Sequence, residues 1–140
     1  MKNTKLKTGL ILVIGALSGA VWLFGSVLPA LYLDAALYTD DGPVLDLGML
    51  ILLFSFLFGV VGALLTVWAG QRLPQAPYLH LLASAVFVLF TAAFINGPIA
   101  LVQVLFELKL WAFMFGSAAI FFIARRKRIF QPAIVAAPKP

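Results

Sequence analysis

The chain of 140 residues contains no cysteine, one histidine and only five acidic residues. Each shortage removes some chemistry. Without cysteine there is no disulfide, no thiolate-held iron–sulfur cluster or zinc, and no cysteine nucleophile. His80 alone supplies neither a histidine pair for haem nor three ligands for zinc, so a metal would need ligands from a second chain. Charged residues make up 11% of the chain, less than half of the roughly 25% usual in soluble domains. Hydrophobic residues reach 64%, which rules out a disordered chain. The composition specifies an integral membrane protein.

Four apolar runs are long enough to be weighed against the roughly 20 residues needed to cross a bilayer core of about 30 Å. They cover residues 10–28, 47–69, 79–95 and 99–124. Pro29 follows the first and is expected to kink or end it. The second, LGMLILLFSFLFGVVGALLTVWA, is the clearest. Asn96-Gly97-Pro98 separates the third from the fourth: a strong breaker, with a proline suited to opening the next helix. The alternative is a third helix bent at Pro98 and continuing to Phe106, with the outer turn at Glu107-Leu108-Lys109. It leaves only residues 110–124, ~22 Å, to cross, so the Asn96-Gly97-Pro98 loop is preferred. The expected fold is therefore all-α, a single domain over residues 1–128. It has four transmembrane helices in an antiparallel up-down bundle, and a Pro/Ala-rich tail follows at 129–140. The lysine-rich start and Ser18-Gly19-Ala20 resemble a signal peptide, but the apolar run continues to Leu28, so an uncleaved anchor is expected.

The charges sort by side once the spans are drawn. Lys2, Lys5 and Lys7, then Arg72, then Arg125, Arg126, Lys127, Arg128 and Lys139 fall on one side, which is nine of the ten basic residues. The positive-inside bias makes that side cytoplasmic and places both termini there, as in a bacterial inner membrane. Asp34, Asp40, Asp41 and Asp46 fall in the opposite loop, with the turn at Asp41-Gly42-Pro43. That loop lacks the spacing of a calcium site and reads as a solvated outer turn. Arg125, Arg126, Lys127 and Arg128 read as a topology signal that also holds anionic lipid headgroups, at about 1 kcal/mol per basic residue near the surface. Lying against the membrane, they do not indicate nucleic acid.

Glu107 and Lys109 are the only charges inside an expected span, and an intramembrane ionisable residue is by default a functional candidate. Counted back from Arg125 they lie ~27 and ~24 Å along a straight helix, near the outer boundary of the core. Two residues apart on a helix, they point about 200° from each other and make poor partners. Gln103, one turn before Glu107, shares its face and completes a possible polar patch. His80, beside Tyr78 at the start of the third span, is expected in the interfacial belt, with a role in binding haem, a quinone or a proton as the lesser alternative. Small residues recur at four-residue spacing: Gly15 and Gly19, Gly59 and Ala63, Ala112 and Gly116. Such positions let helix backbones approach closely. Aromatic side chains on several faces of spans two and four point to lipid or partner contact.

No nucleophile, base and ligand set converges in the sequence, so neither an enzyme nor a cofactor is expected. The central polar side chains are few: Ser18, Ser55, Ser84, Thr91 and Ser117. The expected function is that of a small non-catalytic tetraspan subunit, which packs against other membrane subunits and stabilises a larger complex. The alternative is a homo-oligomeric channel or transporter with Gln103 and Glu107 at its mouth.

Overall fold

The computed structural model describes the backbone of residues 2–39, 42–43, 47–71 and 73–126, and the side chains of 3–26, 48–71 and 73–126. Asp40, Asp41, Asp46, Arg72, Lys127, Arg128 and the tail at 129–140 lie outside the described residues, as does the side chain of Asp34. The described residues form five helices: α1 (Lys2–Leu37), α2 (Leu47–Ala69), α3 (Ala76–Asn96), α4 (Ile99–Phe106) and α5 (Leu108–Arg126). Between α1 and α2, β1 (Tyr38–Thr39) and β2 (Gly42–Pro43) form a two-residue antiparallel ladder. Gly42 and Pro43, expected in a turn, therefore belong to a short strand. Among the described residues four helical segments are long and apolar enough to cross a membrane: Asn3–Ser26, Gly48–Ala69, Ala76–Asn96 and Leu108–Arg126. This is an integral membrane protein.

Two boundaries differ from the sequence expectation. The first helix passes Pro29 and runs 36 residues to Leu37, or ~54 Å, well beyond a bilayer core. The run expected as one helix over 99–124 is two. α3 ends where Gly97 takes φ 79° and ψ 176°, a region essentially limited to glycine, and its N–H donates to the Ala93 carbonyl at 2.9 Å. α4 then runs only eight residues before Glu107 turns extended at φ −76° and ψ 121°. No proline or glycine marks this second break. The freed groups are nonetheless satisfied, because Glu107 N–H donates to the Val104 carbonyl at 3.2 Å. In addition, Trp111 Nε1 reaches back across the break to the Leu105 carbonyl at 2.9 Å. An orphan carbonyl at a helix end is thereby paired.

The bundle core is thin. Only 22–28% of the most apolar stretch of each candidate span is buried, so most of the apolar surface faces outward. α1 packs on α3, and α2 on α5, through glycines. A Cβ at Gly15 would stand 2.9 Å from the His80 carbonyl oxygen, and one at Gly59 would collide with the Phe113 carbonyl. Trp22, Val88, Leu110 and Phe113 form one buried cluster. Ile11, Ala69 and Ala76 form another, where the start of α1 meets the end of α2 and the start of α3.

Candidate functional site

Of Gln103, Glu107 and Lys109, the structure pairs the last two, and among the described residues no hydrogen bond joins Gln103 to Glu107. Gln103 lies exposed on α4, and the break at Glu107 interrupts the helical register that would have set the two on one face. The same break reverses the expectation for the charged pair. With Glu107 extended, Lys109 Nζ comes to 3.0 Å from Glu107 Oε2, an ion pair in which both side chains are about a third exposed (31% and 38%). The ~200° separation holds only on a continuous helix. A pair this exposed adds roughly 0–1 kcal/mol. Lys109→Met is accordingly expected to lower the unfolding free energy read by SDS titration in bicelles by less than about 1 kcal/mol; a larger loss would show that the pair holds the break. Arg125 and Arg126 close α5 and are exposed.

The small-residue positions sit at helix contacts of different kinds. Gly15 and Gly19 face α3, where a Cβ would meet the His80 and Ser84 carbonyls at 2.9 and 3.0 Å. Gly59 and Gly116 face each other's helices, against the Phe113 and Phe56 carbonyls. Ala63 is fully buried, whereas Ala112 is only partly so. Of the aromatics, Phe113 is fully buried, while Phe115 and Phe122 are exposed.

The polar centre of the molecule is His80, and the expectation of an interfacial histidine is overturned. Tyr78 is 73% exposed and His80 is fully buried. Two residues apart on a helix they face opposite ways, so lipid contact at one says nothing of the other. A signal was present in the sequence: Ala76, His80, Ser84, Val88 and Ala92 recur every four residues, and these are the buried residues of α3. The row is small or polar where the outward face is aromatic and aliphatic.

Around His80 the bundle is held by hydrogen bonds. Nδ1 lies 2.6 Å from Thr66 Oγ1 of α2, which is also 3.0 Å from the Gly62 carbonyl. Ser84 Oγ donates across the α1–α3 seam to the Gly15 carbonyl at 2.8 Å. Ser117 Oγ lies 3.1 Å from the Gly59 carbonyl across the α2–α5 seam. Thr66 has one hydroxyl hydrogen for two acceptors. Donation to the carbonyl four residues back is the common arrangement in helices. It makes Nδ1–H the donor to Thr66 Oγ1 and leaves Nε2 a bare acceptor. We assign this tautomer because the converse would bury an unpaired N–H, the rarer orphan. Among the described residues Nε2 has no hydrogen-bond partner, and it has no solvent contact. The ring edge packs against Phe121 at 5.7 Å and 70°.

Thr66→Val keeps the shape and strands the imidazole N–H. Interhelical hydrogen bonds in bilayers average about 0.6 kcal/mol, and a donor left unpaired raises the cost to about 1–2 kcal/mol. Ser84→Ala leaves no such orphan and is expected to cost no more than about half as much. Equal losses in SDS titrations of the two variants would count against the assigned pairing. Comparison of the chain with protein-family models, curated proteins and solved structures finds no match.

Proposed function

We propose that the chain is a non-catalytic tetraspan subunit that packs laterally against other subunits of a larger membrane complex and stabilises it. In this reading the bundle runs up and down through a bacterial inner membrane, with both termini cytoplasmic. The observation that carries it is the elbow made by the end of α3 with α4. α4 spans only ~12 Å, far short of the bilayer, and packs chiefly against its chain neighbours α3 and α5. Phe94, Ile99 and Phe106 stand 75–83% exposed there, and Phe90 and Phe94 stack at 6.4 Å and 15°. Phe90 and Phe94 restrict each other by stacking, which lowers the entropy lost on docking. Large aromatic anchors are what subunit contacts favour.

The test is purification in mild detergent from the native membrane, followed by native mass measurement. Foreign subunits should accompany the wild type and be lost from Phe94→Ala/Phe106→Ala, whose far-UV circular dichroism should be unchanged. A homogeneous preparation of this chain alone would sink the reading. The homo-oligomeric channel or transporter draws on a different feature, the exposure of Gln103 on α4 where a second copy would meet it. Glu107 already has Lys109 as its counter-ion. Ion flux in vesicles of the purified chain that falls on Gln103→Leu, but not on Glu107→Gln, would favour the channel over the accessory subunit.

A further inference from the structure

A cleft of about 150 Å³ lies between α1 and α2. Its walls are apolar, and four of its side chains, Leu17, Val21, Val61 and Leu65, are half-exposed. The cleft therefore opens sideways, towards lipid chains rather than water. Ser18 and Gly62 also line it. Gly62 is where the polar centre comes closest to the cleft: a Cβ there would collide with Ser18 Oγ and stand 3.1 Å from His80 Cε1. Cε1 is bonded to Nε2, the buried nitrogen that has no partner. Ser18 and the imidazole edge thus flank one point at the inner end of a lipid-facing cleft.

We propose that this cleft and the His80 edge behind it form a binding site for a membrane-dissolved molecule with a ring-sized apolar body and one hydroxyl donor, as in an alkylphenol. The size follows from the space, since an apolar cavity of about 150 Å³ takes a benzene ring. The single donor follows from the chemistry of the inner end. Nε2 offers a lone pair without a hydrogen, and a buried acceptor left empty is costly. Ser18 provides the connection. Its Oγ–H is bonded to the Ile14 carbonyl four residues back, at 2.7 Å, a carbonyl already served within the helix. Turned towards Nε2, the same hydroxyl donates to the imidazole and accepts from the ligand hydroxyl. A second void, of about 110 Å³ between α3, α4 and α5, is walled by Val88, Leu89, Leu110 and Met114 among others; the buried polar atom in the cluster beside it, Trp22 Nε1, is a donor and offers no lone pair to a ligand hydroxyl.

His80 is the only histidine in the chain, so histidine-selective ¹⁵N labelling in lipid nanodiscs, with any purification tag removed, reports on this imidazole alone. The titrants are 4-pentylphenol and its methyl ether, which has the same body and no O–H. The phenol should move the Nε2 resonance saturably, with half-saturation at a concentration at least tenfold below that for the ether. Val61→Trp fills the cleft from its exposed side without touching His80; it should abolish the response while the Nδ1 resonance stays in place. Leu65→Trp is the second blocking variant, for use if Val61→Trp displaces the Nδ1 resonance. Equal responses to phenol and ether, no saturable shift, or a phenol response that survives the blocking variant would each overturn the proposal. The measurement uses the chain without partners, so it stands apart from the accessory-subunit reading.

Discussion

Replacing Gly59 or Gly116 with alanine is expected to cost about 3 kcal/mol or more, the largest loss from an added methyl group at any glycine whose surroundings the structure describes. The two glycines sit on α2 and α5 at reciprocal positions. A Cβ on Gly59 would run into the Phe113 carbonyl and stand 3.1 Å from the Ser117 nitrogen; one on Gly116 would run into the Phe56 carbonyl. What blocks the methyl group is backbone in both cases. A side chain could swing away, but a helical carbonyl moves only with its helix, so the seam must open along its length. The Ser117 contact with the Gly59 carbonyl would be lost with it. Lipid makes that loss more serious, because no hydrophobic drive returns the helices and close packing is most of what holds them. Gly9 is the control: nothing lies within 4 Å of its added Cβ, and Gly9→Ala should be neutral or gain up to about 1 kcal/mol from helix propensity. The double variant Gly59→Ala/Gly116→Ala should cost less than the sum, since one opening relieves both collisions. SDS titration in bicelles reads all four. A Gly59→Ala protein as stable as Gly9→Ala would mean that α2 and α5 do not approach as closely as described.

The crossings were legible in the sequence because the membrane demands them. A bilayer core sets a minimum length for an apolar run, and Gly48–Ala69 meets it without a charge. The break at Gly97 was legible for a local reason, glycine's access to positive φ. The break at Glu107 was half legible: Glu107-Leu108-Lys109 stands out as the alternative outer turn, but the segment after it, residues 110–124, reads as too short to cross, whereas α5 begins at Leu108 and reaches Arg126. What closes the break is tertiary, a Trp111 hydrogen bond and an ion pair that exist only once it has formed. His80 failed for a third reason. Position along a helix gives depth, and depth gave an interfacial histidine beside Tyr78. Orientation about the helix axis decides burial, and it was carried by the four-residue row from Ala76 to Ala92. The small-residue positions were visible as such, but their partners were not, because a GxxxG-like spacing is blind to which helix it meets.

Trp22 carries the second large effect. It is fully buried on α1, in the cluster where Val88 of α3 meets Leu110 and Phe113 of α5, and its ring centre lies 5.4 Å from that of Phe113. Through this ring α1 and α3 meet α5, so removing it loosens more than one helix pair. Trp22→Ala is expected to cost about 2–4 kcal/mol. The value sits below the aqueous range for aromatic truncation because lipid receives a released ring almost as well as the core does, leaving chiefly the cavity and lost dispersion. Trp22→Phe separates two contributions. The indole N–H has no hydrogen-bond partner among the described residues, and an unpaired buried donor is a standing cost that phenylalanine lacks. Phenylalanine also keeps a ring against Phe113. The loss for Trp22→Phe should therefore fall well under half of that for Trp22→Ala when both are followed by far-UV circular dichroism during SDS titration. If the two variants were equally damaged, the indole nitrogen would have to be bonded in the membrane, and the cluster would be held by a polar contact rather than by packing.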